Sequence, residues 1–308
     1  MKKLLILLII SYAVLYILPL GVRPMFTPDE TRYAEIPREM IASCNWISPK
    51  LNGVRYFEKP VMGYWLNGLA MLVFGHNPFA IRFSSAIAAG LSALLVFILT
   101  KKYTESEKTA LLAAVILLTC QEVYFVGTFS VLDTLLTGFL TGALAFFFLA
   151  LDEPKKFLKF VYLAIFGACC GGAFLVKGFL AFAVPVIVIV PFMFWQKRWK
   201  ELFYLPWIPI IFAVLVSLPW GLAVHSQEPD YWNYFFWEEH VKRFLSADGP
   251  KHPQPFFFFI PVILGGAIPW TFLSVAAFFG LKEKGFKATP FIKYLLCWLV
   301  FPFIFFSI

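Results

Sequence analysis

One repeated feature leaves few folds open to this chain. Apolar runs of about 18–22 residues recur from end to end, and about 20 helical residues are what the hydrocarbon core of a bilayer requires. The runs are continuous rather than alternating, which sets aside a transmembrane β-barrel, whose strands show apolar and polar residues in turn. With 60% hydrophobic and only 14% charged residues, there is too little polar surface to cover a soluble core of this size. The sequence therefore predicts an all-α polytopic membrane protein of about nine spans. They are expected at residues 4–22, 78–100, 109–127, 131–150, 158–176, 178–195, 203–222, 256–277 and 289–308.

The stretch "VMGYWLNGLAMLVFG", residues 61–75, is too short for a full crossing and suits an interfacial or re-entrant helix. Charge supports leaving it out of the spans. Without it, Lys2 and Lys3 share one face with the basic clusters at 101–108, 155–159, 197–200 and 282–293. With it, every cluster after the first changes sides and the bias disappears. The positive-inside rule then places the N-terminus in the cytoplasm. Residues 23–77 and 223–255, the two polar loops, fall on the outer face with the turn "QEVYFVGTFSVLD", Lys177 and all four histidines. The clusters act as topology determinants and account for a pI near 9.2 without a nucleic-acid partner. The basic, apolar N-terminus lacks a small-x-small cleavage site and reads as a retained anchor. The five cysteines are odd in number, sit mostly in apolar runs and read as packing residues. There is no repeat of fixed period, so residues 1–308 read as a single membrane-embedded domain.

The first outer loop is unusually charged. In "FTPDETRYAEIPREM", residues 26–40, Thr27 is placed to cap a helix and Pro28 suits its first turn, while Asp29 and Glu30 favour the positive end of the dipole. Pro37 is expected to divide the segment into two short helices. Unpaired carboxylates this close to a span are costly, and Arg32, Tyr33 and Arg38 are their local partners. In "LNGVRYFEKP", residues 51–60, Asn-Gly marks a tight turn, and Arg55, Tyr56, Glu58 and Lys59 follow at the edge of the interfacial helix. By composition alone, both segments suit a solvated surface as well as a site.

The order "F-x-P-D-E-x-R-Y-A-E-I-x-R-E-M" and then, about a dozen residues later, "N-G-x-x-Y-F-E-K-P" resembles the first outer loop of the bacterial aminoarabinose-transferase family. These are membrane glycosyltransferases of the GT-C fold, related to protein O-mannosyltransferases. Asp133 in "SVLDTLLTGF", Lys177 in "FLVKGFLA", and Glu239, His240 and Arg243 in "FFWEEHVKRF" match in order. "CNW" (Cys44, Asn45, Trp46) stands where the family shows "GDW". The last run ends at Ile308 within a span where members continue, so the resemblance implies only the N-terminal part of the family architecture for these residues. The resemblance implies a GT-C-like transmembrane helix bundle with short juxtamembrane helices in the first outer loop. It also implies inverting transfer from a polyprenyl-phosphate sugar donor to a lipid or glycan acceptor. The archetype moves 4-amino-4-deoxy-L-arabinose from undecaprenyl phosphate to a lipid A phosphate. The implied location is the bacterial inner membrane, in the lipid bilayer, with the site on the periplasmic face.

Such a transfer needs cations on the leaving donor phosphate, for which Lys59, Lys177 and Arg243 are the candidates. It needs a carboxylate to orient or deprotonate the acceptor, here Asp29 with Asp133 as helper. Tyr33, Tyr56 and Trp46 would wall the sugar, and Glu30, Arg32, Glu58 and His240 complete the expected substrate-binding set. Glu58 and His240 pair a carboxylate with an imidazole, which suits a divalent metal ion such as zinc. No other cofactor is expected. Three alternatives stay open at this stage: a protein or other glycan glycosyltransferase of the same fold, a lipid-linked-sugar flippase, and an inactive truncated relative. Clustering of charge at one face favours surface chemistry over transport. Lys177 taken alone reads equally as a snorkelling lysine.

Overall fold

The computed structural model describes residues 2–242, 255–284 and 288–307. The first apolar run forms α1, Lys2–Tyr12, and coils on through a wide turn at Ala13–Ile17 and a tight one at Leu18–Gly21. Its tyrosines tie it to the bundle. The Tyr12 hydroxyl donates to the Ala86 carbonyl at 2.7 Å and the Tyr16 hydroxyl to that of Leu118 at 2.8 Å. Lipid offers polar groups no partner, so such hydroxyls find one within the protein.

The first polar loop holds α2 (Asp29–Ser43), a hairpin of β1 (Lys50–Leu51) and β2 (Val54–Arg55), and α3 (Met62–Phe74). Then follow α4 (Pro78–Thr104), α5 (Glu107–Thr119), α6 (Gln121–Gly127), α7 (Leu132–Leu151), α8 (Lys156–Lys177), α9 (Leu180–Trp195) and α10 (Trp207–Gln227). A π-helical segment, α11 (Asn233–Lys242), precedes α12 (Phe259–Gly266), α13 (Thr271–Lys284) and α14 (Pro290–Ser307).

Among the described residues, six helices are long and apolar enough to cross a membrane, or seven if the bent pair α5–α6 counts as one span. The chain is a multi-pass membrane protein. The expected count of nine is not reached by length and composition, for local reasons. The run at 178–195 gives a helix of 16 residues carrying Pro185 and Pro191. The run at 256–277 divides at Pro269, which has no N–H to continue a helix, into α12 and α13. The run at 109–127 bends by 64° beyond α5. There Cys120 is extended, and the Gln121 N–H leaves its own helix to bond the Ile268 carbonyl at 2.9 Å.

At the centre lies α7, with 67% of its spanning window buried. Its neighbour α8 packs on α10 through Gly167, where an added Cβ would meet the Pro209 carbonyl oxygen at 2.2 Å. Small residues at such crossings let two backbones approach in lipid. The five cysteines are free, and Cys170 and Cys297 are buried in this packing.

The segments expected to share one face do meet at one end of the bundle. Arg55 pairs with Glu228 at 3.0 Å, Ser48 donates to Glu228 at 2.9 Å, and the Trp220 indole donates to the Ile47 carbonyl at 3.0 Å. These contacts join the first polar loop to the second. At the opposite end Arg198 bonds Asp152 at 2.6 Å and the Leu151 carbonyl at 3.0 Å. The α3 helix, 13 residues long, is too short for a crossing, as expected for residues 61–75.

Two local expectations need correction. Residues 29–43 form one helix rather than two, although Pro37 lies inside it. Pro37 cannot bond the Tyr33 carbonyl four residues back, and the Asn67 side chain of α3 donates to that oxygen instead, at 3.1 Å. Thr27 provides no cap, since α2 starts from Pro28 without a side-chain hydrogen bond. The Asn-Gly turn is as expected: Asn52 and Gly53 both have positive φ, at 54° and 76°, and link β1 to β2.

Candidate active site

The second residue of α2 fixes the geometry of this end. Glu30 is fully buried and so is its partner Arg82, on the first turns of α4. The guanidinium grips the carboxylate with both arms, Nε to Oε1 at 2.7 Å and Nη2 to Oε2 at 2.6 Å. Arg82 also donates to the carbonyls of Leu20, Arg23 and Pro24. Glu30 in turn accepts the backbone N–H of Phe26 at 2.9 Å and of Ser130 at 3.0 Å, and Arg23 at 3.2 Å. Burial alone would raise its pKa, but the bonds from Arg82, Ser130 and Phe26 outweigh that and hold it below the usual carboxylate range.

This knot places Asp29, the preceding residue, and Asp133, three residues past Ser130, on the wall of one cavity of about 730 Å³. Phe26, Glu122, Thr134 and Thr137 line it too. Lys177, at the last turn of α8, donates to Asp133 at 2.6 Å. Tyr33, one turn along α2 from Asp29, feels the charges of Asp133, Arg32, Asp29 and Glu58. Burial and then Asp133 push its phenol up to about 12, so it stays protonated and can donate a hydrogen bond.

A second chain of contacts runs from α2 to the segment after the hairpin. Arg32 donates to the Tyr56 hydroxyl at 3.3 Å, and that hydroxyl donates to Glu58 at 2.9 Å. Burial, then the Glu58 bond, raise the Tyr56 phenol well above its ordinary value. Lys59 donates to the Glu58 carbonyl at 2.9 Å and lies 3.9 Å from Glu239 on α11.

Of the residues expected in a site, Asp29, Arg32, Tyr33, Tyr56, Glu58 and Asp133 come together, Lys59 adjoins Glu58, and Lys177 holds Asp133. Glu30 does not join them as a substrate contact, because it is sealed and its oxygens are already engaged. Arg38 pairs with Glu35 at 2.6 Å rather than with Asp29 or Glu30. The Trp46 ring packs where Gly68 of α3 leaves room, and its carbonyl accepts the Trp65 indole at 2.6 Å. Arg243 lies outside the described residues, as does the side chain of His240. The Glu58–His240 metal pair therefore rests on Glu58 alone, which is bonded to Tyr56. Among the described residues no group of three His, Cys, Asp or Glu side chains could hold a metal ion.

Arg82 and Glu122 are the additions that sequence reasoning missed. A lone arginine in "PFAIRFSSAIAAG" is the kind of intramembrane charge that needs a partner, and it was the available signal. Glu122 sits in the first turn of α6 with no spacing to set it apart.

The profile of the dolichyl-phosphate-mannose-protein mannosyltransferase family matches residues 1–235. The chain belongs to that family. The chain is also similar to an undecaprenyl phosphate-alpha-4-amino-4-deoxy-L-arabinose arabinosyl transferase of Pectobacterium atrosepticum. The two are 46% identical over 302 residues, which is 98% of this chain and 54% of the relative. This mannosyltransferase-family chain spans about half the length of the curated relatives it matches. The crystal structure of ArnT from Cupriavidus metallidurans bound to undecaprenyl phosphate aligns with a TM-score of 0.89 at 25% identity, covering 98% of this chain and 55% of that one. An oligosaccharyltransferase from Archaeoglobus fulgidus shares the fold alone, with a TM-score of 0.51 at 16% identity over 94% of this chain and 38% of the other. The aminoarabinose-transferase resemblance carried by the two loop motifs agrees with these relatives, and so does a GT-C-like helical bundle.

Proposed function

We propose that this chain forms the site of an inverting glycosyltransferase. It takes a sugar from a polyprenyl-phosphate donor and passes it to an acceptor in the outer leaflet of the bacterial inner membrane. Residues 1–308 act in it as one membrane-embedded unit, with the site on the periplasmic side. The sugar is 4-amino-4-deoxy-L-arabinose, as the names of the relatives and the undecaprenyl phosphate bound to ArnT support, and the acceptor is a lipid A phosphate, as the resemblance of the two loop motifs implies.

The observation that carries this reading is the sharing of one cavity by Asp29 and Asp133, with Lys177 on the second carboxylate and Lys59 beyond Tyr56 and Glu58. In the transfer, an acceptor oxygen attacks the anomeric carbon from the face opposite the phosphate. The bond from that carbon to the phosphate oxygen breaks, and the electron pair departs with the polyprenyl phosphate. Lys59, Lys177 and Arg243 stabilise the charge on the leaving group. Asp29 orients the acceptor, and it deprotonates one that is a hydroxyl; an acceptor phosphate is already ionised and needs no base. Asp133 holds Lys177 in place. Beside the site, an apolar cavity of about 840 Å³ runs between α3, α4 and α7, from Leu66 and Leu135 down to Ile98, and suits the prenyl tail.

The test is to supply the chain in membranes with a synthetic polyprenyl-phosphate amino sugar and lipid A, then weigh the lipids by mass spectrometry. A product heavier by one pentosamine is expected. An intact donor, or one moved across the bilayer without transfer, overturns the proposal.

A further inference from the structure

The buried pair Glu30–Arg82 touches neither the cavity nor solvent, yet it reaches the two segments of chain that bring Asp29 and Asp133 to the cavity. Glu30 accepts the Phe26 N–H at 2.9 Å, which closes the turn leading into α2 and Asp29. It accepts the Ser130 N–H at 3.0 Å, which sets the turn leading into α7 and Asp133. Arg23 reinforces the bridge, bonding Glu30 at 3.2 Å and the Thr128 carbonyl at 2.9 Å. Arg82 fastens the whole to α4 and, through the carbonyls of Leu20, Arg23 and Pro24, to the end of the first span.

We propose that Glu30 and Arg82 are positioning residues of the transfer reaction, a two-armed clamp that fixes the separation of Asp29 and Asp133. This rests on the reading of Asp29 as the carboxylate that orients the acceptor and of Asp133 as the holder of the lysine at the donor phosphate. The chemistry of the clamp explains its residue types. Two backbone N–H groups from segments a hundred residues apart converge on one side chain, and only an acceptor with two oxygens and no donor satisfies both along with a guanidinium. An amide of the same shape presents an NH2 where an N–H must be received, so one arm is lost. Arg82 keeps three carbonyl acceptors in that variant, which spares the fold the cost of a wholly unpaired buried cation. A displacement of about 1 Å at reacting groups is enough for a loss of roughly 100-fold in rate.

The experiment compares wild type, Glu30→Gln, Arg82→Lys and Asp29→Asn as full chains in nanodiscs. Donor-binding stoichiometry, KM for donor and kcat per bound donor are measured for each. The clamp predicts full stoichiometry and a donor KM within about threefold of wild type for Glu30→Gln, with kcat per bound donor lower by roughly 100-fold. Arg82→Lys keeps the charge but not the fork, and is expected to fold and to lose roughly tenfold in kcat. Counting bound donor separates misplacement from a smaller folded fraction, which would lower stoichiometry and leave turnover per site unchanged. Wild-type turnover per site in either variant overturns the proposal, and so does a raised donor KM at unchanged kcat, which would mark a substrate contact. Full activity in Asp29→Asn overturns the underlying reading of the site instead. A dead Asp29→Asn beside an unaffected Glu30→Gln overturns the clamp alone.

Discussion

Lys177 on α8 and Asp133 on α7 form an ion pair of 2.6 Å, joining the adjacent ends of two packed spans at the wall of the cavity. Asp133 is 57% exposed on its side chain, so water screens the pair and its stabilising effect is roughly 0–1 kcal/mol. Replacing Lys177 with Met should therefore barely move the unfolding temperature, yet lower kcat/KM about 100-fold through loss of a cation at the leaving phosphate. Arginine at this position should restore only part of the rate, because its planar fork is not a point charge. Steady-state kinetics alongside thermal unfolding check both statements.

Glu30 gives a pH dependence of defined sign. Its pKa in the folded chain lies below that of the unfolded chain, because Arg82 and two backbone donors outweigh burial. Its contribution to stability is thus complete above the unfolded value, about 4.3, and is lost as pH falls through the lowered folded value. Unfolding temperatures measured from pH 6 down to pH 3 should decline more steeply for wild type than for Glu30→Gln, which has no carboxylate to protonate there.

Tyr33 should act as a donor across the working range. With its phenol pushed up to about 12 by burial and by Asp133, it carries no charge below pH 10. The pH–rate profile of Tyr33→Phe between pH 6 and pH 10 should keep the wild-type shape at a lower level. A limb present only in wild type would show that the phenol titrates in that range.

The crossing of α8 and α10 should reject even a methyl group. A Cβ at Gly167 would fall 2.2 Å from a backbone carbonyl oxygen, which no side-chain rotation relieves. Gly167→Ala should cost about 1–3 kcal/mol, read as a lowered unfolding temperature.

Much of this architecture was legible in the sequence, because apolar run length and lysine placement are direct consequences of the bilayer. The short α3 and the gathering of the two polar loops at one end followed from those patterns, and the tight turn at Asn52 and Gly53 from the Asn-Gly pair itself. What stayed hidden depended on partners far apart in the chain. Pro37 looked like a helix end because the Asn67 amide that rescues its orphaned carbonyl lies on another element. Glu30 looked like a substrate ligand because Asp29 and Glu30 are adjacent in a charged loop. Only the position of Arg82, 52 residues on, turns one inward while the other faces the cavity. The span count departed for a third reason: proline content shortens or divides runs whose average hydropathy is that of a crossing.

The most direct measurement is a single turnover in nanodiscs containing the chain, a polyprenyl-phosphate amino sugar and a lipid A acceptor, with wild type beside Asp29→Asn. The expected result is equal donor binding, release of polyprenyl phosphate with glycosylated acceptor in wild type, and a rate lower by about 100-fold or more in Asp29→Asn. Equal rates in the two proteins would contradict the role of the Asp29 carboxylate in orienting the acceptor for transfer.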